Sequence, residues 1–346
     1  MFKKKEKLAM RKFLILFLSC SFLLLYCQKQ QEELYTMGVF QVDDAPTLNE
    51  VREGFIRALE DNNLRDGETV RLIVKNGGGD IPEVQRIAQE FVAEKVDLIV
   101  AFSTPCLQAA LNETHEIPII FSSVADPYLA GAGMSPTQHL SNVSGVSSRG
   151  PIKESLAFIK QVLPKVRRIG TLWTPSEINS EYYLELAMEG ARELGLEIVA
   201  VPIANKSEIL HSAQVLVNKK IDAIYQISDN TINTSFGAIG SVAEDNAVPL
   251  FGGFLLSTQR GACAALGWDF FEMGYKAGEM AIRVKKGENP SRIPFESMNK
   301  VRLYLNLDAA KKQGVKFSKS VLEKADEVLG EGEKLEGHSD NDEKIP

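Results

Sequence analysis

Residues 97–124 read DLIVAFSTPCLQAALNETHEIPIIFSSV, and the fold turns on this stretch. Five apolar residues at 98–102 form a run short enough for a strand and apolar enough to be covered on both faces. Ser103 and Thr104 then precede Pro105, a start signal for a helix over 105–111. A second apolar run at 117–121 supplies the next strand. Strand, helix and strand in this order are the unit of a parallel sheet with helices packed on its faces.

The same alternation extends in both directions. Upstream, strands are expected at 37–42 and 70–74, with helices at 48–59 and 82–93; Val51, Phe55, Ala58 and Leu59 share one stripe of the first helix. After 142–150, a Ser- and Gly-rich stretch that suits a hinge better than a packed element, the pattern restarts. Helices at 152–163, 181–194, 207–217 and 233–245 alternate with strands at 168–173, 197–202, 223–227 and 249–251. The run 263–266 and a helix at 271–285 extend the first unit, and 301–305 returns to the second. The expected fold is α/β, with two Rossmann-like lobes built on parallel sheets. Lobe 1 is assigned 37–147 plus about 265–298, and lobe 2 is assigned 148–264 plus about 299–329. The acidic stretch 330–346 has almost no apolar residues and is expected to be a disordered tail.

The first 26 residues follow a different logic. Lys3, Lys4, Lys5, Lys7, Arg11 and Lys12 precede an apolar run at 13–26, the layout of a signal peptide. That run is shorter than the roughly 20 apolar residues of a spanning helix. It stops at Cys27 before polar residues, which resembles the lipobox of bacterial lipoproteins; Leu24 and Leu25 suit that pattern, whereas Tyr26 stands where it has a small residue. Cys20, after Phe17, Leu18 and Ser19, meets the small-residue rule but would leave Phe22 to Tyr26 apolar and exposed. Cys27 is taken as the lipidation site, with 27–36 as the tether and Cys20 or an uncleaved anchor as alternatives.

The leader carries six basic residues against Glu6, so the chain total of −7 leaves −12 from Cys27 onward, which argues against nucleic acid as a partner. Cys106 and Cys263 sit in apolar neighbourhoods and read as buried free thiols, with one bridge as the alternative. His115, His139, His211 and His338 are too scattered for a metal site, and no cofactor is expected.

In open parallel sheets ligands bind beyond the carboxyl ends of the strands. That rule selects Asp43, Asp44, Asn76, Asp80, Ser103, Thr104, Ser122 and Ser123 in the first unit, and Asn179, Ser180, Asp229 and Asn230 in the second. Thr104, at a helix start, suits a carboxylate, with an ordinary cap as the alternative. Asp229 and Asp269 each follow an apolar strand with no basic neighbour in sequence and suit an ammonium; capping of the next helix is the alternative for both. Trp173 ends a strand and offers a flat face to a ligand, although core packing is the commoner role for such a side chain. Asn76 opens NGGGD, residues 76–80, which lacks the third glycine of a dinucleotide fingerprint and reads as a tight turn. A serine hydrolase would draw on Ser103, Ser122 or Ser123, but no G-x-S-x-G elbow is present.

Several stretches in order resemble the ABC-transporter substrate-binding proteins of the tryptophan/tyrosine type. They are GVFQVDDAPTLNEVREGF (38–55), QRIAQEFVAEKVDLIVAFSTP (85–105), PIIFSSVADP (118–127), DAIYQISDNT (222–231), ACAALGWDFFEMGYKAGEMA (262–281) and LNLDAAKKQGV (305–315). The resemblance implies the type I periplasmic-binding-protein fold, two lobes joined by a three-crossover hinge with ligand in the cleft. It also implies an ABC permease and ATPase as partners; a sensor as partner is the alternative. Where the family often has an acidic residue in a turn, this chain has Gly252, Gly253 and Phe254. Hydroxyls and helix starts in one lobe facing carboxylates in the other point to a zwitterionic amino acid, aromatic by the resemblance. The protein is expected to act as a monomer held to the membrane by its lipid.

Overall fold

The computed structural model describes residues 34–330. The leader with Cys20 and Cys27, most of the tether and the tail after Gly330 lie outside the described residues. Among the described residues no helix is long and apolar enough to cross a membrane.

The first lobe is built on a six-stranded sheet. Its strands are β1 (Tyr35–Gln41), β2 (Val70–Asn76), β3 (Leu98–Phe102), β4 (Ile119–Val124), β7 (Val143–Ser147) and β13 (Glu296–Ser297), in the order β13-β7-β4-β3-β1-β2, while β5 (Gly133–Ser135) and β6 (Gln138–His139) pair as a separate hairpin. Strand β3 is buried along its whole length, as its uninterrupted apolar run requires of a central strand. It pairs in parallel with β1 and with β4, Ala101 lying between Phe40 and Phe121. Helix α1 (Pro46–Asp61) starts at a proline and buries the expected stripe of Val51, Phe55, Ala58 and Leu59, together with Leu48. Helices α2 (Ile81–Ala93) and α3 (Thr104–Glu113) pack against each other, α3 lying on β3 and β4. Phe40, Phe55, Phe91, Phe102 and Phe121 are fully buried, each stabilising the fold by about 1.5–3 kcal/mol relative to exposure.

The second lobe carries seven strands: β8 (Arg168–Trp173), β9 (Glu197–Pro202), β10 (Ala223–Gln226), β11 (Leu250–Gly252), β12 (Ala264–Gly267), β14 (Arg302–Asn306) and β15 (Glu327–Leu329). Their order is β15-β14-β12-β11-β10-β8-β9, and all pairs are parallel except β12 with β14. Helices α4 (Ile152–Val162), α5 (Ile178–Leu194) and α6 (Ile209–Val217) follow the expected alternation. Gly195 ends α5 in the left-handed conformation.

Three corrections concern organisation. The stretch 142–150 is no open hinge: Val143–Ser147 is the buried strand β7. Its Gly145 makes room for Phe121, since a Cβ there would lie 2.3 Å from the Phe121 carbonyl oxygen, and the Ser144 hydroxyl donates to the Ile293 carbonyl at 2.8 Å. Small residues that read as a linker are packing choices. Residues 263–266 belong to the second sheet, where Phe251 pairs with Ala264 and Ala264 with Leu305. The expected helix over 233–245 is two helices, α7 (Asn230–Thr234) and α8 (Phe236–Asp245). The Thr234 hydroxyl bonds back to the Thr231 carbonyl at 2.7 Å, competing with continuation of the helix.

The chain passes between the sheets three times, after β7, after β12 and after β13. The second passage leads into α9 (Phe270–Lys285), which returns to the first lobe and packs on α1. This contact is glycine against backbone. A Cβ on Gly54 would lie 2.0 Å from the Phe271 carbonyl oxygen, and one on Gly274 would lie 1.9 Å from the Val51 carbonyl oxygen.

Candidate functional site

The carboxyl ends of both sheets meet around one small cavity. From the first lobe come Thr47, in the first turn of α1, and Ser123, near the end of β4 in the left-handed conformation (φ 57°). From the second come Asn179, Tyr183, Ser228, Asp229, Asn230 and Asn233, while Ser148 comes from the first crossover. The space left is about 20 Å³ for the centre of a water-sized sphere, room for about one water molecule.

Its chemistry is set by two buried carboxylates, Asp229 in the lining and Glu177 behind the lining residues Asn179 and Asn230. Asp229, 1% exposed, caps α7 by accepting from the Ile232 amide at 2.8 Å, and accepts from the Thr174 amide at 3.1 Å. Glu177, 6% exposed, accepts from the Asn230 side chain at 2.7 Å, the Thr231 hydroxyl at 2.6 Å and the Thr231 amide at 3.0 Å. Asn179 donates its Nδ2 to Glu177 at 3.0 Å, which turns its buried Oδ1 away without a partner. Among the described residues no lysine or arginine lies within 4 Å of either carboxylate. Burial, followed by repulsion from Glu177, pushes Asp229 up to about 7 against the pull of its hydrogen bonds.

The residues selected by the strand-end rule divide into three groups. Ser123, Asn179, Asp229 and Asn230 line the cavity. Ser180 and Thr104 stand just behind it: the Ser180 hydroxyl accepts from the Thr174 amide at 2.9 Å, and that of Thr104 accepts from the Ala125 amide at 3.4 Å. The others are directed elsewhere. Ser122 alternates to the opposite side of β4 from Ser123 and donates to the Met273 carbonyl at 3.5 Å. Trp173 packs on the core of the second lobe. Asn76 is exposed and accepts from the Gly78 amide of its own turn at 2.8 Å. Asp269 caps α9 through the Glu272 amide and is neutralised by Arg302 at 3.3 Å, a partner 33 positions away that its sequence neighbours did not reveal. The rule also missed Glu177, although it reached Asn179 in the same segment.

Asp43 reaches across to the second lobe, where Lys206 lies 3.8 Å from its carboxylate. A larger groove, about 440 Å³, borders all three crossovers at Arg149, Trp268 and Val301. Cys106 and Cys263 are free and buried, and burial pushes each thiol up to about 12. No group of three or more histidine, cysteine, aspartate or glutamate side chains suited to a metal occurs among the described residues.

The sequence model of the ABC transporter substrate binding proteins matches residues 36–329, nearly all of the described chain. The chain belongs to this family. It is 37% identical over 275 residues to the tyrosine-binding protein of Clostridioides difficile (strain R20291), covering 80% of this chain and 79% of that protein. A Streptococcus pneumoniae ABC domain solved in complex with L-Trp superposes with a TM-score of 0.82 at 27% identity, over 86% of this chain and all of that one. The ligand-free, open structure of a Clostridium difficile substrate-binding protein gives 0.65 at 32% identity over the same shares. The type I periplasmic-binding-protein fold follows from these likenesses and from the sheet topology. Members are solute-binding proteins rather than enzymes, so the hydrolase reading of the serines falls away. Substrate-binding proteins of ABC importers work outside the cytoplasm.

Proposed function

We propose that this substrate-binding protein captures an aromatic amino acid in the interlobe cavity and hands it to an ABC permease and ATPase. It does so as a monomeric lipoprotein, exported by its leader and tethered through acylated Cys27. The observation that carries the ligand class is the pair Asp229 and Glu177, two buried carboxylates without a basic partner among the described residues, beside the unpaired oxygen of Asn179. Such a corner is matched to an ammonium group. Across the cavity, Thr47 at the positive end of α1 and the Ser123 hydroxyl are placed for the ligand carboxylate. A zwitterion bridging the two favours the closed arrangement, because only there are both charges met. The names of the relatives, one tyrosine-binding and one complexed with tryptophan, support an aromatic side chain.

An amino acid needs several times the present space, so its entry requires that the lobes part or that the lining repacks. Thermal shift with tyrosine, tryptophan and phenylalanine, beside branched aliphatic amino acids, purines and sugars, tests the reading. At 100 times the dissociation constant, stabilisation should be about 2.7 kcal/mol. Shifts with purines or sugars and none with amino acids would overturn it.

A further inference from the structure

Two carboxylates that share a buried corner without a cation repel one another, and retention of one proton between them relieves that repulsion. Glu177 and Asp229 meet this description. The Asn230 amide and side chain, directly after Asp229 in the chain, donate to Glu177 at 3.3 and 2.7 Å, and Asn179 donates to Glu177 while its oxygen stays unpaired at the cavity. If Glu177 is ionised it can only accept, so this amide orientation is fixed and Oδ1 is left to receive a donor.

We propose that Asp229, buried beside Glu177 without a cation, holds one exchangeable proton in the ligand-free protein and releases it when the ammonium of the ligand binds. The proposal rests on the amino-acid reading above and assigns Glu177 a positioning role that selects cationic heads. The step balances: a carboxyl O–H bond breaks, the proton leaves to solvent, and an ammonium N–H donates to the oxygen it vacates. The pair with its occupant carries one net negative charge before and after, so a neutral or anionic head gains no such exchange.

The direction with pH follows. Asp229 is held above its ordinary value in the ligand-free protein, and an adjacent positive charge pulls it back down. Affinity is therefore full above about 7 and is lost as pH falls below it, by at most about tenfold per unit for one proton. Tyr183 donates to the Ser148 carbonyl at 2.7 Å and burial pushes it up to about 12. Arg149 lies over the Tyr182 ring at 5.9 Å. In the 3-10 turn packed on α7, Lys206 pairs with Asp43 and Glu208 accepts from the Ala204 amide. Helix α1 also touches α7 and carries Glu50, Arg52 and Glu53; Arg52 donates to Gln41. Glu50 is raised to about 7 by burial, then by Asp269 and Glu53, and lies outside the cavity lining, which makes it the control.

Titration calorimetry of the full chain with L-tyrosine and L-tryptophan, in buffers of different ionisation enthalpy from about pH 5.5 to 8.5, counts the protons released. Release approaching one proton per ligand near pH 6 and vanishing above pH 8 is expected. Glu50→Gln should keep that release, Asp229→Asn should abolish it, and Glu177→Gln, which removes the repulsion but not the burial, should move it to lower pH. Should either variant fail to fold, the wild-type proton count alone decides. Binding without proton release across the range would overturn this inference and leave the amino-acid reading standing. Release that disappears in Glu50→Gln would overturn it too, and no binding of any aromatic amino acid would remove both.

Discussion

Replacing Asp229 by asparagine separates its structural task from its proposed binding task. Asparagine caps helices about as well as aspartate, so Oδ1 can keep the Ile232 amide. Nδ2 then faces the Thr174 amide, donor against donor, and an unpaired buried N–H costs about 1–3 kcal/mol. Removal of a buried charge that burial already disfavours offsets part of this, so the net change in folding stability should stay within about 2 kcal/mol. Binding should suffer more. Loss of the charged partner of a buried ammonium costs about 3–5 kcal/mol, or roughly two hundred- to several thousand-fold in Kd. Calorimetry at pH 8 with L-tyrosine or L-tryptophan reads the second quantity, and thermal denaturation reads the first. A variant that melts like the wild type and binds within about fivefold of it would refute the assignment of Asp229 to the ammonium.

Other perturbations address other parts of the account. Gly274→Ala places a Cβ 1.9 Å from the Val51 carbonyl oxygen and should force α9 off α1, destabilising the fold at the upper end of the ~1–3 kcal/mol range for overpacking; an unchanged Tm would contradict that contact. Lys206→Met removes an ion pair between the lobes; because Lys206 is 58% exposed, the loss should be about 0.2–1 kcal/mol, seen as weaker ligand affinity at low salt that converges with wild type at high salt. Cys27→Ala should abolish fatty-acid labelling and release a folded protein from the membrane, whereas label that persists there and vanishes in Cys20→Ala would move the anchor.

The alternation of strands and helices was legible because each sheet is covered on both faces, so strands such as β3 carry uninterrupted apolar runs. Strand β7 escaped because its small residues serve neighbours distant in sequence: Gly145 yields to Phe121, and Ser144 satisfies the Ile293 carbonyl. At the site, the strand-end rule named four residues of the cavity lining but could not say which way each side chain turns. Ser122 and Ser123 are adjacent and face opposite sides. Asp269 looked free of cations because Arg302 arrives only through the third crossover. Glu177 was passed over because its partners Asn230 and Thr231 lie more than fifty residues away.

The central claim is that a zwitterionic aromatic amino acid bridges the two lobes with its ammonium on Asp229. A crystal structure of the protein with bound L-tyrosine or L-tryptophan tests it most directly. The ammonium nitrogen should lie about 2.7–3.2 Å from an Asp229 carboxylate oxygen, with Asn179 Oδ1 as a second acceptor and the ligand carboxylate against Thr47 and Ser123. A ligand seated in the groove beside Trp268, or one in the cleft with its nitrogen beyond hydrogen-bond reach of both Asp229 and Glu177, would contradict it.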